Sequence, residues 1–384
     1  MSELLAALAH PIVAAPMAGG PSTPQLAAAV SQAGGLGFLG AGYLSVDRLA
    51  EDIAETRKLT SAPFGVNVFM PERSENGSAP NVASDAIQAY AQRLAPDAER
   101  RGTAVGNPVG GDDAYAEKVE LLRQEPVAVV SFTFGLPDPA IVRRLQERGS
   151  EVWVTLTRPE DALAATALGA DAIVAQGIEA GGHRGGIVDT DEYALLPLLR
   201  LLAARTGLPL VAAGGVTDGA ALAAVLAAGA SAAQIGTAFL ACPEAGTSPL
   251  YRGVLNGTVR VGGMGSGAGQ ANAMHTDSAQ AGLPKTVLTR AFTGRRARGI
   301  LNAFIAENEA HAPVAYPQVH QLTAPIRAAA RAVSDPDAVN FWAGQNFPLI
   351  RELPAAELVA VLVAEAAAAV EHITRRLDPR GDPA

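Results

Sequence analysis

The sequence is poor in cysteine: Cys242 is the one thiol in 384 residues. A single thiol excludes an intrachain disulfide and a cysteine-based metal cluster, so nothing in the chain calls for an oxidising compartment. Lysine occurs only at positions 58, 118 and 285, which argues against covalent lysine chemistry. There is no GxSxG elbow, no GxxxxGK[ST] loop and no HExxH pattern. The six histidines form no close metal-ligand pair, so no metal is expected. Long apolar runs are missing too; ELVAVLVAEAAAAV (357–370) is interrupted by Glu365 and falls short of a membrane span. The first residues, MSELLAALAHPIV, carry Glu3 and no basic stretch, unlike a signal peptide. The net charge of −9 argues against nucleic acid or an anionic membrane as partner. These exclusions leave a soluble, cytoplasmic protein as the expectation and do not forbid a small anionic ligand.

Hydrophobic residues make up 49% of the chain and charged residues 17%, the balance of a folded core rather than of disorder. Eight short apolar segments recur: PIVAAP (11–16), LGFLG (36–40), FGVNVF (64–69), VAVVSFTF (127–134), EVWVTL (151–156), AIVAQG (172–177), LPLVAAG (208–214) and AAQIGTAFL (232–240). Continuous rather than alternating hydrophobicity predicts parallel strands buried on both faces. Between them run alanine-rich segments predicted as helices (23–33, 139–148, 159–168, 218–228), each followed by a glycine in the C′ position, with Ser22, Thr157 and Asp218 where N-caps belong. Eight strand–helix units within residues 1–245 predict a (β/α)8 TIM barrel; a doubly wound open sheet is the weaker alternative. A polar insertion, 71–125, is expected to hold one helix near 86–94. Residues 246–345 are expected to form a lid-like substrate subdomain over the barrel mouth, and 346–384 a C-terminal helix packing back on the barrel. Long alanine-rich helices are compatible with a homodimer without specifying one.

In such a barrel the site lies at the C-terminal strand ends, and phosphates favour the loops after the seventh and eighth strands. Those loops are AAGGVTDG (212–219) and QIGTAF (234–239). Both offer backbone N–H groups near helix starts, where an anion is favoured; alternatively the glycines only permit tight turns. Pro16, Met17 and Ala18 follow the first strand, Asn67 sits in the third, and Gln176 ends the sixth. Alone, each amide reads best as a structural hydrogen-bonding group. Together at one mouth they suit a phosphorylated heterocycle with donors and acceptors on its edge. QGIEAGGHRGG (176–186) then places His183 among four glycines over the same mouth, where it can do acid–base or hydrogen-bonding work. The run GMGSGAG (263–269) does not fit GxGxxG and reads as a flexible loop, and Cys242 reads as a small buried residue.

PIVAAPMAGGPSTPQLAAAVSQAGGLGFLG, GVNVF, QGIEAGGHRG, LVAAGGVTDG and QIGTAFLACPEA, with TRAFTGRRARG (289–299) and FWAGQ (341–345), occur in an order that resembles the nitronate monooxygenase family, formerly called 2-nitropropane dioxygenases. The resemblance implies a barrel holding non-covalent FMN. It implies FMN contacts at Asn67, Gln176, Gly181, Gly214, Gly215, Gln234, Ile235, Gly236 and Thr237, with Pro16, Met17 and Ala18 against the isoalloxazine, and His183 as the catalytic residue. The activity implied is oxidation of alkyl nitronates by O2 to carbonyl compounds and nitrite. Related NAD(P)H-dependent flavin reductases of quinones or enoyl thioesters, on the same barrel, make the alternative. The sequence departs from the family pattern in YPQVHQLTA, where Ala324 stands eight residues past Tyr316 in place of a lysine.

Overall fold

A computed structural model describes residues 2–71, 84–262 and 284–377. The run GMGSGAG and most of the stretch that opens the 71–125 insertion therefore lie outside the described residues.

All eight apolar segments are strands: β1 (Ile12–Ala14), β2 (Gly37–Gly40), β3 (Phe64–Phe69), β4 (Val129–Thr133), β5 (Glu151–Leu156), β6 (Ala172–Gln176), β8 (Leu210–Ala213) and β9 (Ala232–Ile235). A two-residue strand, β7 (Gly182–His183), intervenes, and β10 (Thr286–Thr289) and β11 (Ala297–Ile300) follow. The eight are parallel in the order β1-β9-β8-β6-β5-β4-β3-β2. Leu36 N–H donates to Ile12 and Ala14 N–H to Leu36, both at 2.9 Å, which joins β1 to β2 and closes the cylinder. The predicted TIM barrel is the fold.

The apolar side chains divide by the face they occupy. Val13, Phe38, Val129, Trp153, Val174 and Val211 fill the interior of the cylinder, and Leu5 of the helix Glu3–Ala7 joins them. Ser2 Oγ donates to the Glu151 carboxylate at 2.7 and 2.8 Å, and Trp153 Nε1 donates to the same group at 2.9 Å. The N-terminal helix is thus tied to the strand whose tryptophan it covers. Truncating a buried tryptophan costs about 3–5 kcal/mol, so this plug is energetically substantial. A second layer, between strands and helices, holds Ile12, Leu39, Val66, Val130, Ile173 and Ile235, and the long helix Ala355–Leu377 joins it through Leu358, Val359 and Leu362.

A third cluster lies apart from both. It contains Phe292, Ile300, Phe304, Val319, Leu322, Ile326 and Phe341 together with Tyr90 and Leu94 from the insertion. Tyr90 donates its hydroxyl to the carbonyl of Ala291 at 2.7 Å. The insertion helix runs Ser84–Arg100, longer than the expected 86–94, because it continues through Pro96; a second helix, Tyr115–Gln124, was not expected. Two cap expectations fail: Thr23, not Ser22, caps the helix Pro24–Gln32 by accepting from Leu26 N–H, and Thr157 caps nothing and bonds Asp191 instead. Asp218 caps Gly219–Ala227 as expected.

Candidate active site

Over the mouth of the barrel lies a cavity of about 540 Å³. Its floor comes from strand ends and its roof from the third apolar cluster. Pro16, Met17, Ala18, Asn67, Gln176, Gly181, Gly214, Gly215, Gln234, Gly236, Thr237 and His183 all line it. Ile235 does not: its side chain is buried in the layer between strands and helices, and its carbonyl accepts from Ala15 N–H at 2.8 Å. Strand alternation explains this, since Gln234 and Ile235 must face opposite sides of β9.

His183 is not on a free loop. It belongs to β7, which pairs antiparallel with β11 in the sheet β10-β11-β7, with Ala297 opposite His183 and Arg298 opposite Gly182. The arginines of TRAFTGRRARG fasten the segment that carries β7 by donating to its carbonyls: Arg295 Nε to Arg184 at 3.0 Å and Arg298 Nε to Ile178 at 2.9 Å. Gln176 ties it from below, with Nε2 donating to the His183 carbonyl at 3.0 Å and Oε1 accepting from Gly185 N–H at 2.8 Å. Asn67 likewise commits its Nδ2 to Ser131 Oγ (2.9 Å) and Thr133 Oγ1 (2.8 Å). Both amides therefore organise the mouth as well as line it.

The roof is stitched to the barrel loops by one short strip. Gln345 N–H donates to Glu179, Gly344 N–H to Thr237 Oγ1 (both 3.0 Å), and Asn346 Nδ2 to the Gly215 carbonyl at 2.6 Å. Gly181 permits this approach; a Cβ there would stand 2.6 Å from Gly344 N.

On the barrel side the donors are unspent. Gly236 and Thr237 open the turn Thr237–Ala241, so their N–H groups have no partner within it. Thr237 Oγ1, having accepted from Gly344, keeps its hydroxyl proton for donation. Among the described residues, Thr217 Oγ1, Thr247 Oγ1 and Gln234 Oε1 are buried without a hydrogen-bond partner, and all three residues line the cavity. Orphaned buried polar atoms are costly unless a ligand completes them. Backbone N–H groups and hydroxyls at the ends of β8 and β9, with a free amide oxygen beside them, fit a phosphate joined to a hydrogen-bonding ring.

On the roof side the cavity is aromatic and basic. His183 stands 5.7 Å from the rings of Phe134 and Tyr316 and 5.5 Å from that of Trp342. Tyr43 stacks on His320 at 4.3 Å, and Tyr316 donates to the Tyr43 hydroxyl at 3.1 Å. Tyr43 and Phe134 both hold left-handed backbone (φ 68° and 78°), a strain that persists only where surroundings enforce it. Asp113 does so for Tyr43: its Oδ1 accepts from Tyr43 N–H at 2.9 Å while Oδ2 pairs with buried Lys118 at 2.7 Å.

Burial, then the charges of Arg295 and Arg327, pull His183 from 6.5 down to about 3; burial and Arg327 bring His320 to about 3 as well. Both imidazoles are neutral at pH 7. Between these values and 6.5 the unfolded chain binds more protons than the folded one, so their contribution to stability is complete above pH 6.5 and is lost as pH falls toward 3. Urea melts from neutral pH down to about pH 4 should show wild type losing stability more steeply than a His183→Asn/His320→Asn double variant. Equal slopes would assign the acid sensitivity to other groups.

A family model for nitronate monooxygenases matches residues 2–256 and 252–365. The chain belongs to the nitronate monooxygenase family. It is 39% identical over 376 residues to the nitronate monooxygenase of Paraburkholderia phytofirmans, covering 94% of each chain. It is 40% identical over 374 residues to that of Pseudomonas aeruginosa, covering 94% of this chain and 97% of the other. Among solved structures it resembles the nitroalkane oxidase from Streptomyces ansochromogenes, with 45% identity, a TM-score of 0.85 and coverage of 97% and 100%. As a member of the nitronate monooxygenase family the chain is an enzyme, and nitronate oxidation is its general chemistry.

Four lining residues that sequence reasoning did not single out are Tyr43, Thr293, His320 and Arg327. A signal was available for two of them. His320, Thr323, Ala324, Arg327 and Arg331 recur at helical spacing along Gln318–Ala332, a stripe that marks one face.

Proposed function

We propose that the protein oxidises alkyl nitronates, and nitroalkanes through them, with O2 as co-substrate and non-covalent FMN as cofactor, yielding carbonyl compounds and nitrite. The observation that carries this reading is the opposition of two walls: unspent phosphate-type donors on the barrel side and a neutral, half-buried histidine on the roof side of one cavity. Gly214, Gly215, Thr217, Gly236 and Thr237 would hold the FMN phosphate. Pro16, Met17, Ala18, Asn67, Gln176 and Gln234 would meet the ring. Bound flavin supplies the redox chemistry, and the protein supplies binding, orientation and electrostatics.

The proton chemistry belongs to this chain. Thr293 Oγ1 donates to the Arg295 carbonyl at 3.1 Å and lies 3.0 Å from His183 Nε2. A hydroxyl has one proton, so it accepts from Nε2–H, and the network leaves Nδ1 of His183 as the basic nitrogen. A neutral Nδ1 can remove the α-proton of a nitroalkane, and the resulting imidazolium sits against the nitronate it has created. Phe134, Tyr316 and Trp342 crowd the ring and exclude water from that pair.

An anaerobic titration separates this reading from a reductase on the same barrel. The purified flavoprotein should lose its oxidised-flavin absorbance on addition of a short alkyl nitronate and keep it with NADH in a parallel cuvette. Reduction by NADH alone would overturn the proposal and place the protein with the reductases.

A further inference from the structure

Arg327 is nearly inaccessible to solvent (5% exposed), yet it lines the active-site cavity together with His183. Its hydrogen bonds go to neutral acceptors alone. Nε donates to Thr323 Oγ1 at 3.2 Å, Nη2 to the His320 carbonyl at 2.8 Å and toward His320 Nδ1 at 3.3 Å, and Nη1 to Asn340 Oδ1 at 3.4 Å. Among the described residues no carboxylate forms an ion pair with it. Two half-buried arginines of the roof differ: Arg290 pairs with Asp189 at 2.8 Å and Arg296 with Glu192 at 2.6 Å, while the buried Arg184 and Arg298 donate to backbone carbonyls and do not line the cavity. Arg327 is therefore held in position by dipoles while its charge is left uncompensated.

A buried, unpaired guanidinium is expensive, because desolvation is not offset by a counter-charge. Nearby charges make this one no easier to keep: Arg331 lies on the same helix face one turn on and lines the same cavity, and burial first, then the charge of Arg331, pull the Arg327 guanidinium from 12.5 down to about 10. The weakest of its bonds, at 3.4 Å, is made by Nη1, which leaves that nitrogen the most available for another acceptor. The missing counter-charge has the chemistry of a small planar anion with two oxygens, matched to a guanidinium fork.

We infer that Arg327 is the substrate-anchoring residue, whose guanidinium binds the nitro oxygens of the anionic nitronate opposite His183. This rests on the nitronate-oxidising function proposed above. The division of labour follows from the geometry. His183, neutral and hydrogen-bonded to Thr293, handles the proton, while Arg327 neutralises the charge that appears on the two oxygens when the proton leaves. A neutral nitroalkane gains little from Arg327 on binding; the nitronate gains the full charge-assisted bond. Arg327 thus favours the anion over its conjugate acid.

The test compares both forms of one substrate in the FMN-loaded enzyme. Arg327→Met should raise KM for the nitronate by about 30-fold or more, the penalty typical of removing one member of a close charge pair. KM for the neutral nitroalkane should change by no more than about 3-fold, and Arg327→Lys should recover most of the nitronate affinity. Nitrate, a planar oxyanion, serves as a probe that needs no turnover: calorimetry should show it binding wild type and the lysine variant, competitively with nitronate, and not the methionine variant. Equal KM changes for both substrate forms, or unaltered nitrate binding in Arg327→Met, would overturn the assignment. Should the methionine variant not fold, failure of nitrate to compete with nitronate in wild type overturns it equally. Absence of nitronate turnover in wild type is a different result, which removes the underlying function while the nitrate titration still reports on the anion site.

Discussion

Replacing His183 by alanine is expected to lower kcat/KM for a neutral nitroalkane by about 10²–10⁴-fold, the usual loss when a positioned general base is removed. The preformed nitronate should suffer less, since it has no α-proton to surrender. FMN content should not change, because His183 hangs from β11 while the proposed cofactor contacts sit on barrel strands β3, β6 and β9 and on the loops after β1, β8 and β9. The comparison is informative because the imidazole is neutral before substrate arrives: burial and two arginines hold it near 3, so the wild-type base is fully available at pH 7. Steady-state rates on both substrate forms, with the flavin-to-protein ratio as control, decide the matter. Retained nitroalkane turnover in the alanine variant removes the histidine from the mechanism. Loss of flavin would reassign it to structure.

Gly236→Asp is expected to release the cofactor. The glycine has φ −107°, which any residue adopts, and a Cβ there meets Ala15 Cβ at 3.3 Å and Met17 Sδ at 3.7 Å, so the barrel should fold with small adjustments. The new carboxylate would stand where backbone N–H groups await the phosphate. Two like charges about 4 Å apart repel by about 4 kcal/mol at an effective dielectric near 20, equivalent to a roughly 1,000-fold weaker complex. Gly236→Ala supplies the steric control and should keep most of its FMN. Gel filtration followed by flavin quantitation would sink the phosphate assignment if the aspartate variant emerged fully loaded.

The barrel was legible in the sequence because parallel strands covered on both faces must be continuous apolar runs, and each run of that kind proved to be a strand. The roof was not, for local reasons. A strand of two residues, Gly182–His183, has no periodicity to detect. Its partner β11 reads Ala-Arg-Gly-Ile, and a buried Arg298 looks like a surface residue until its carbonyl acceptor from the 178 loop is seen. The insertion helix outruns the expected 86–94, since the chain stays helical through Pro96 to Arg100. The lining residues found in advance were those in the barrel strands or on the loops that follow them, where chain order fixes position. Tyr43 and Thr293 reach the cavity through tertiary packing alone, and Ile235 was placed there by a run of four residues that ignores the alternation of a strand.

The pairing of β7 with β11 has a consequence for how such enzymes diversify. The histidine, its threonine partner, the tryptophan and the guanidinium opposite all hang on one framework made of residues 178–190 and 286–345, whereas the candidate cofactor cradle is written into the loops after β8 and β9. A chimera that grafted this upper framework onto a related barrel would import acid–base chemistry and anion preference as a set and would keep the host's cofactor. Recombination at these seams changes what is oxidised without touching what oxidises it.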